Sequence, residues 1–275
     1  MSRDRIELRF QAAHASQRAV LLPYFTSGFP DGRTVADLIR ASDALGATVV
    51  EIGVPYSDSI ADGPVIQESF NYALDQGHKV KDAFDLIARV RPAVECGLVM
   101  MLSYSIVHRI GLDRFMRDAA AAGADGVILP DAPIEEANDA RAAAASANLC
   151  HIGLVAPSSS PARRAEIARG STGFVYQIAA PGTTGERTSL PPTLTADVAN
   201  LRRHTTLPIC VGFGISTAAQ VGEVCQVADG AILGSALIRR IADALRQRKS
   251  SNEIVTVAGA FLRNLLAGGQ QPVAD

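Results

Sequence analysis

The chain has 275 residues, a formal net charge of -2, and 48% hydrophobic against 20% charged residues. Such a composition belongs to a folded protein with a sizeable core, and the balanced charge leaves no basic surface for nucleic acid or anionic lipid. The opening MSRDRIELRFQAAHASQR holds no apolar stretch of signal-peptide length and no later run reaches a membrane span, so a cytoplasmic location is expected.

An N-terminal helix is expected over 4–16. After it, short apolar runs bounded by Gly, Pro or Asp alternate with longer stretches of helical period. The strands are expected at 19–25, 47–54, 96–102, 125–130, 150–156, 173–179, 207–213 and 229–235. Their apolar residues are consecutive rather than alternating, as in parallel strands covered on both faces. Helices are expected at 33–45, 64–75 with 80–90, 112–122, 134–147, 161–169, 192–204, 217–227 and 236–248, and a last one at 252–266. RTVADLIRASDAL shows the three- and four-residue apolar spacing of an amphipathic helix.

Eight strand–helix units in about 250 residues match a (β/α)₈ TIM barrel with an extra N-terminal helix. A doubly wound open sheet is the rival, but it prefers a Gly-rich turn after its first strand, and here that strand runs into PYFTSGFP. No composition shift or linker divides the chain, so one domain over 1–275 is expected, with a flexible tail at 268–275. Cys96, Cys150, Cys210 and Cys225 are widely spaced, mostly within apolar runs, and read as buried thiols rather than a zinc site or disulfide framework.

In a barrel of this kind the chemistry sits where the strands end. The second strand ends in EIGVPYSDSIADGP, which carries Glu51, Asp58 and Asp62. Alternation along the strand aims Glu51 into the barrel, where a charged group must be either paired or functional. Asp62 taken alone is equally an N-cap or turn aspartate, and Asp58 is a surface one.

The loops VGFGIS (211–216) and LGSALI (233–238) follow the seventh and eighth strands, and Ser235 opens a helix. Glycine backbone at a helix start is suited to phosphate, and these two loops are the recurrent phosphate place of the fold. The loop PGTTGERTSLPP (181–192) is the natural lid. The five histidines form no metal-ligand spacing. Read from residues alone, the chain is a barrel enzyme acting on a phosphorylated small molecule with a carboxylate acid and base.

These stretches, taken together and in order, resemble the tryptophan synthase alpha subunit family. The segment EIGVPYSDSIADGPVIQ matches the family's strand-end glutamate followed by GxPxSDPxADGPxIQ. LPDAPIEEA (129–137), VAPSSSPARRAEIA (155–168), PGTTG, GFGIS and LGSALI also look like their family counterparts.

The resemblance implies a lyase that cleaves indole-3-glycerol phosphate to indole and glyceraldehyde 3-phosphate, with no metal or organic cofactor. It implies that Asp62 accepts the indole N–H and that Glu51 moves protons. Tyr24, Ser103 and Tyr176 would line the pocket, and Thr184 would be the lid threonine. Gly185, Phe213, Gly214, Gly234 and Ser235 would hold the phosphate.

It further implies a beta-subunit partner, and it is there that the chain departs from the pattern. Ser59 replaces the proline of SDP, and Ser103-Tyr104-Ser105-Ile106 stands where the family has YxNP. Ala179-Ala180-Pro181 replaces the Ser-Arg before the lid glycine. Work with a partner and standalone activity are both compatible with these departures. So are a diverged retro-aldolase for a related phosphorylated substrate and a catalytically silent partner-binding homologue.

Overall fold

The structure, a computed structural model, describes residues 2–16, 18–59, 62–132, 136–179, 190–212 and 214–268. In chain order the elements begin with α1 (Ser2–Ala15), β1 (Leu21–Thr26), α2 (Gly32–Ala44), β2 (Val49–Gly53), α3 (Pro64–Asp75) and α4 (Val80–Val90). They continue with β3 (Gly97–Met101), α5 (Tyr104–Ile110), α6 (Leu112–Ala122), β4 (Gly126–Ile128), α7 (Ala137–Ser146), β5 (Cys150–His151) and β6 (Gly153–Val155). The last are α8 (Pro161–Gly170), β7 (Val175–Ile178), α9 (Leu194–Leu201), β8 (Ile209–Gly212), α10 (Ala218–Val227), β9 (Gly230–Leu233), α11 (Ser235–Arg246) and α12 (Ser251–Gly268).

All strand pairs are parallel, in the order β5-β4-β3-β2-β1-β9-β8-β7-β6. The two ends of that order, β5 and β6, are halves of one barrel strand. Cys150 and His151 pair with β4, whereas Gly153 to Val155 pair with β7, so the change of partner at Ile152 closes the sheet into eight strands. The expected (β/α)₈ barrel is the observed fold, and all eight expected strands are present. The seven-residue α5 was not foreseen, because a run as short as YSIVHRI carries too little periodicity to register.

Alternation along the strands sorts the core into two layers. Val20 just before β1, Leu22 on it, and Val49, Val99, Ile128, Cys150, Phe174, Tyr176, Cys210 and Ile232 fill the barrel interior. The opposite faces pack under the helices in a second cluster that includes Phe25, Ile52, Met100 and Val211. α1 lies across the strand starts as a plug, where Ile6 and Phe10 join the interior and the Phe10 ring meets Phe174 at 5.9 Å.

The plug is fastened by charge. Asp125, 0% exposed at the start of β4, accepts from Arg5 of α1 and from Arg91, and also from the Leu98 amide. Cys96, Cys150 and Cys210 are buried as expected, and Cys225 is half-buried. Among the described residues no helix is long and apolar enough to cross a membrane.

Candidate active site

Val49 points into the barrel, so two residues further on Glu51 does too; its Cα registers with Tyr24 on β1 and Val99 on β3. The side chain is 0% exposed, and neither carboxylate oxygen has a hydrogen-bond partner among the described residues. Satisfaction by backbone or by a neighbouring cation, the alternative left open by the sequence, is therefore not what happens. With nothing to stabilise the charge, burial alone raises the Glu51 pKa from 4.5 to about 8.

Asp62 is not a helix cap, since Gly63 occupies the N-cap of α3. Its amide closes a turn onto the Ser59 carbonyl, and its carboxylate accepts from the Tyr56 hydroxyl at 3.4 Å. Burial pushes its pKa up to about 6, held back by the Tyr56 bond and assisted by the charge of Asp131. At neutral pH the two acids are consequently in opposite states: Glu51 keeps its proton and Asp62 has lost most of its own. Asp58 is exposed and accepts from the Ser57 hydroxyl at 3.4 Å, as a surface aspartate should.

Two tyrosines complete the interior wall. The Tyr24 hydroxyl lies over Gly53 and bonds Thr26, and the Tyr176 hydroxyl lies over Gly212. A Cβ on either glycine would overlap the phenol, so each glycine of the next strand makes room for the tyrosine before it. Both phenols are buried within reach of Glu51 and Asp62, and burial with those charges holds them protonated far above neutrality.

On the far side of β1, Gly234 is the N-cap of α11 and Ser235 its first residue. A Cβ at Gly234 would meet nothing nearer than the Tyr24 Cβ at 4.0 Å, so packing does not demand this glycine. Bare backbone at a helix start, with a positive dipole end and free first-turn amides, suits an anion. Gly214, after β8, has a φ of 84°, a left-handed conformation that glycine adopts without strain. Thr184, Gly185 and Phe213 lie outside the described residues, as do Ala180 and Pro181.

Ser103 is buried and N-caps α5, where its hydroxyl donates to Asp131 at 2.6 Å and shares a 2.7 Å bond with Ser105. Asp131 also accepts from the Tyr104 amide. Of the departures from the family pattern, Ser59 is buried, Ser105 is exposed and Ile106 is half-buried. Sequence reasoning missed Tyr56 and Asp131, the two residues that tune Asp62, because only the fold brings them beside it. Their stretches, EIGVPYSD and LPDAPIEEA, were visible; their contacts were not.

Two open grooves lie elsewhere. One, of about 1040 Å³, runs along the barrel base beside α1, and another, of about 470 Å³, lies between α7 and α8. Neither is lined by Glu51 or Asp62.

Residues 10–264 match the family model described as tryptophan synthase alpha chain. A tryptophan synthase alpha chain of Chloroflexus aurantiacus is 41% identical over 98% of this chain and all of its own length. One from Rhodopirellula baltica is 43% identical over 88% of each chain. Among solved structures, the alpha chain from Legionella pneumophila superposes with a TM-score of 0.87 at 29% identity, covering 98% of this chain and 99% of the other. A tryptophan synthase chain from Mycobacterium tuberculosis gives 0.86 at 33% identity, with 98% and 99% covered.

Proposed function

The chain belongs to the tryptophan synthase alpha chain family, and from that premise we propose that it cleaves indole-3-glycerol phosphate to indole and glyceraldehyde 3-phosphate, as a carbon–carbon lyase. The observation that carries the site assignment is Glu51, buried at the barrel end with no hydrogen-bond partner among the described residues, followed on the next loop by Asp62 against the Tyr56 hydroxyl.

In the reaction Glu51 gives its proton to indole C3, and the positive charge that results spreads to the ring nitrogen. Asp62, ionised, accepts the N–H bond and stabilises that charge as it grows. The bond between C3 and the glycerol carbon then breaks, its electron pair returns to the indole ring, and the hydroxyl on that carbon becomes the aldehyde. Glu51, now a carboxylate, takes the hydroxyl proton and is restored. The phosphate rests on Gly214, Gly234 and Ser235, with Gly185 and Phe213 as further contacts and Thr184 on the lid. Tyr24, Ser103 and Tyr176 line the pocket.

The chain acts as one domain in the cytoplasm, and a beta subunit is its family partner. The segments carrying Ser59, Ser105 and Ile106 face that partner. Only Ser105 is exposed, so contact through the other two relies on backbone or on partly covered surface. A second reading, a substrate bearing a modified ring, is favoured by Ser103: a small hydroxyl tied to Asp131 stands where the resemblance places a tyrosine.

Purified chain incubated with indole-3-glycerol phosphate, and assayed for indole, tests the reaction. Release by the chain alone is expected, and no release with or without a beta subunit from the same source sinks the reading. Turnover of ring-substituted substrates separates the second reading, which fails if the unsubstituted compound is strongly preferred.

A further inference from the structure

We propose that Gln67 is a positioning residue for Asp62, a staple across the two ends of the loop that carries the carboxylate; this rests on the cleavage reaction proposed above. α3 begins at Pro64, so Gln67 is the fourth helical residue, and helical side chains lean toward the N-terminus. Its amide nitrogen reaches back over the first turn and donates to two carbonyls, that of Ser59 at 3.0 Å and that of Asp62 at 2.9 Å. The Asp62 N–H meanwhile donates to the same Ser59 carbonyl at 3.0 Å. Three bonds thus join the loop ends to each other and to α3. Both hydrogens of the Gln67 amide are used, and the Gly63 N-cap has no side chain to do this work.

The helix behind the staple is itself fixed. Ser69, buried two residues further along α3, donates to the Ile66 carbonyl and shares a 2.7 Å bond with Thr26 at the end of β1. Thr26 also bonds the Tyr24 hydroxyl. A bond network therefore runs from the barrel wall through Thr26 and Ser69 to α3, and Gln67 hands that position on to the Asp62 loop. Where the carboxylate sits matters most when charge develops on the indole nitrogen, whereas the phosphate is gripped at the start of α11. Losing the staple should accordingly lower kcat and spare KM.

Gln67→Met keeps the length without donors, and Gln67→Glu keeps the shape while reversing the polarity. Both are measured with indole-3-glycerol phosphate, in the native chain and in an Asp62→Asn background, with thermal unfolding followed by circular dichroism. Each single variant should lose about tenfold or more in kcat with KM within about twofold. On the Asp62→Asn background the further loss should shrink to under about twofold, because the group being positioned has lost its charge. If one variant fails to fold, the other decides. A folded single variant with unchanged kcat overturns the staple, as does a full additive loss on the Asp62→Asn background, which marks a merely structural role. Native chain that cleaves while Gln67→Met cleaves equally fast removes the staple alone; native chain that releases no indole removes the reaction reading and the staple with it.

Discussion

Two buried carboxylates, one at each end of the barrel, are handled in opposite ways. At the strand starts Asp125 accepts from Arg5, Arg91 and the Leu98 amide, and so ties α1 to the barrel base. At the strand ends Glu51 is equally buried and has no partner among the described residues. Burial raises the pKa of both carboxyl groups, but at Asp125 the Leu98 amide and the two arginines pull back against it and tie the structure together, whereas at Glu51 nothing among the described residues opposes it. The two acids thus lie at opposite ends of the barrel axis, and the proposed chemistry uses the one at the strand ends.

The largest effect should come from the paired end. Asp125→Ala leaves two arginines facing a void and should lower unfolding free energy by about 3–5 kcal/mol in urea titrations, with kcat retained while the chain is folded. At the other end Glu51→Gln should lower kcat by about a hundredfold or more, or roughly 2.7 kcal/mol. It should also stabilise the fold. Because the folded pKa is raised from 4.5 to about 8, the native state binds the extra proton, and stability drains away as pH rises through that window. The gain from glutamine is therefore absent below pH 4.5 and complete above pH 8, on the order of a few kcal/mol in pH-resolved melts. A destabilised Glu51→Gln would mean that the carboxylate has a partner after all.

Gly234→Asp sets a like charge where the proposed reading seats the phosphate and should raise KM about tenfold, or 1.4 kcal/mol, in initial-rate kinetics. Arg202→Ala should do least. Its 2.7 Å pair with Asp229 lies at the barrel base with the arginine in solvent, and such pairs contribute under about 1 kcal/mol to melts. A loss as large as that from Asp125 would break the distinction between dry and wet ion pairs at this end.

The barrel was legible in the sequence because strands buried on both faces are short apolar runs, and all eight stood out between Gly, Pro and Asp. The division of the fifth strand at Ile152 was not, since partner exchange is a property of the neighbours. Glu51 was legible as a charge where alternation demanded an apolar residue. Asp62 was ambiguous, because ADGP reads equally as a cap; only Gly63 in the cap position resolved it. Gln67 sat in plain view in ADGPVIQ, yet its two carbonyl partners depend on how the loop folds back over the helix start.

The central claim is that Glu51 acts from its protonated state, and the pH dependence of kcat/KM for indole release tests it most directly. Between pH 6 and 10 the rate should hold near neutrality and fall above about pH 8 as Glu51 ionises; the phenols of Tyr24 and Tyr176 are held protonated too far above neutrality to produce that limb. The residual activity of Glu51→Gln should lack the fall. Undiminished activity up to pH 10 in the native chain, or the same alkaline limb in Glu51→Gln, would contradict the account.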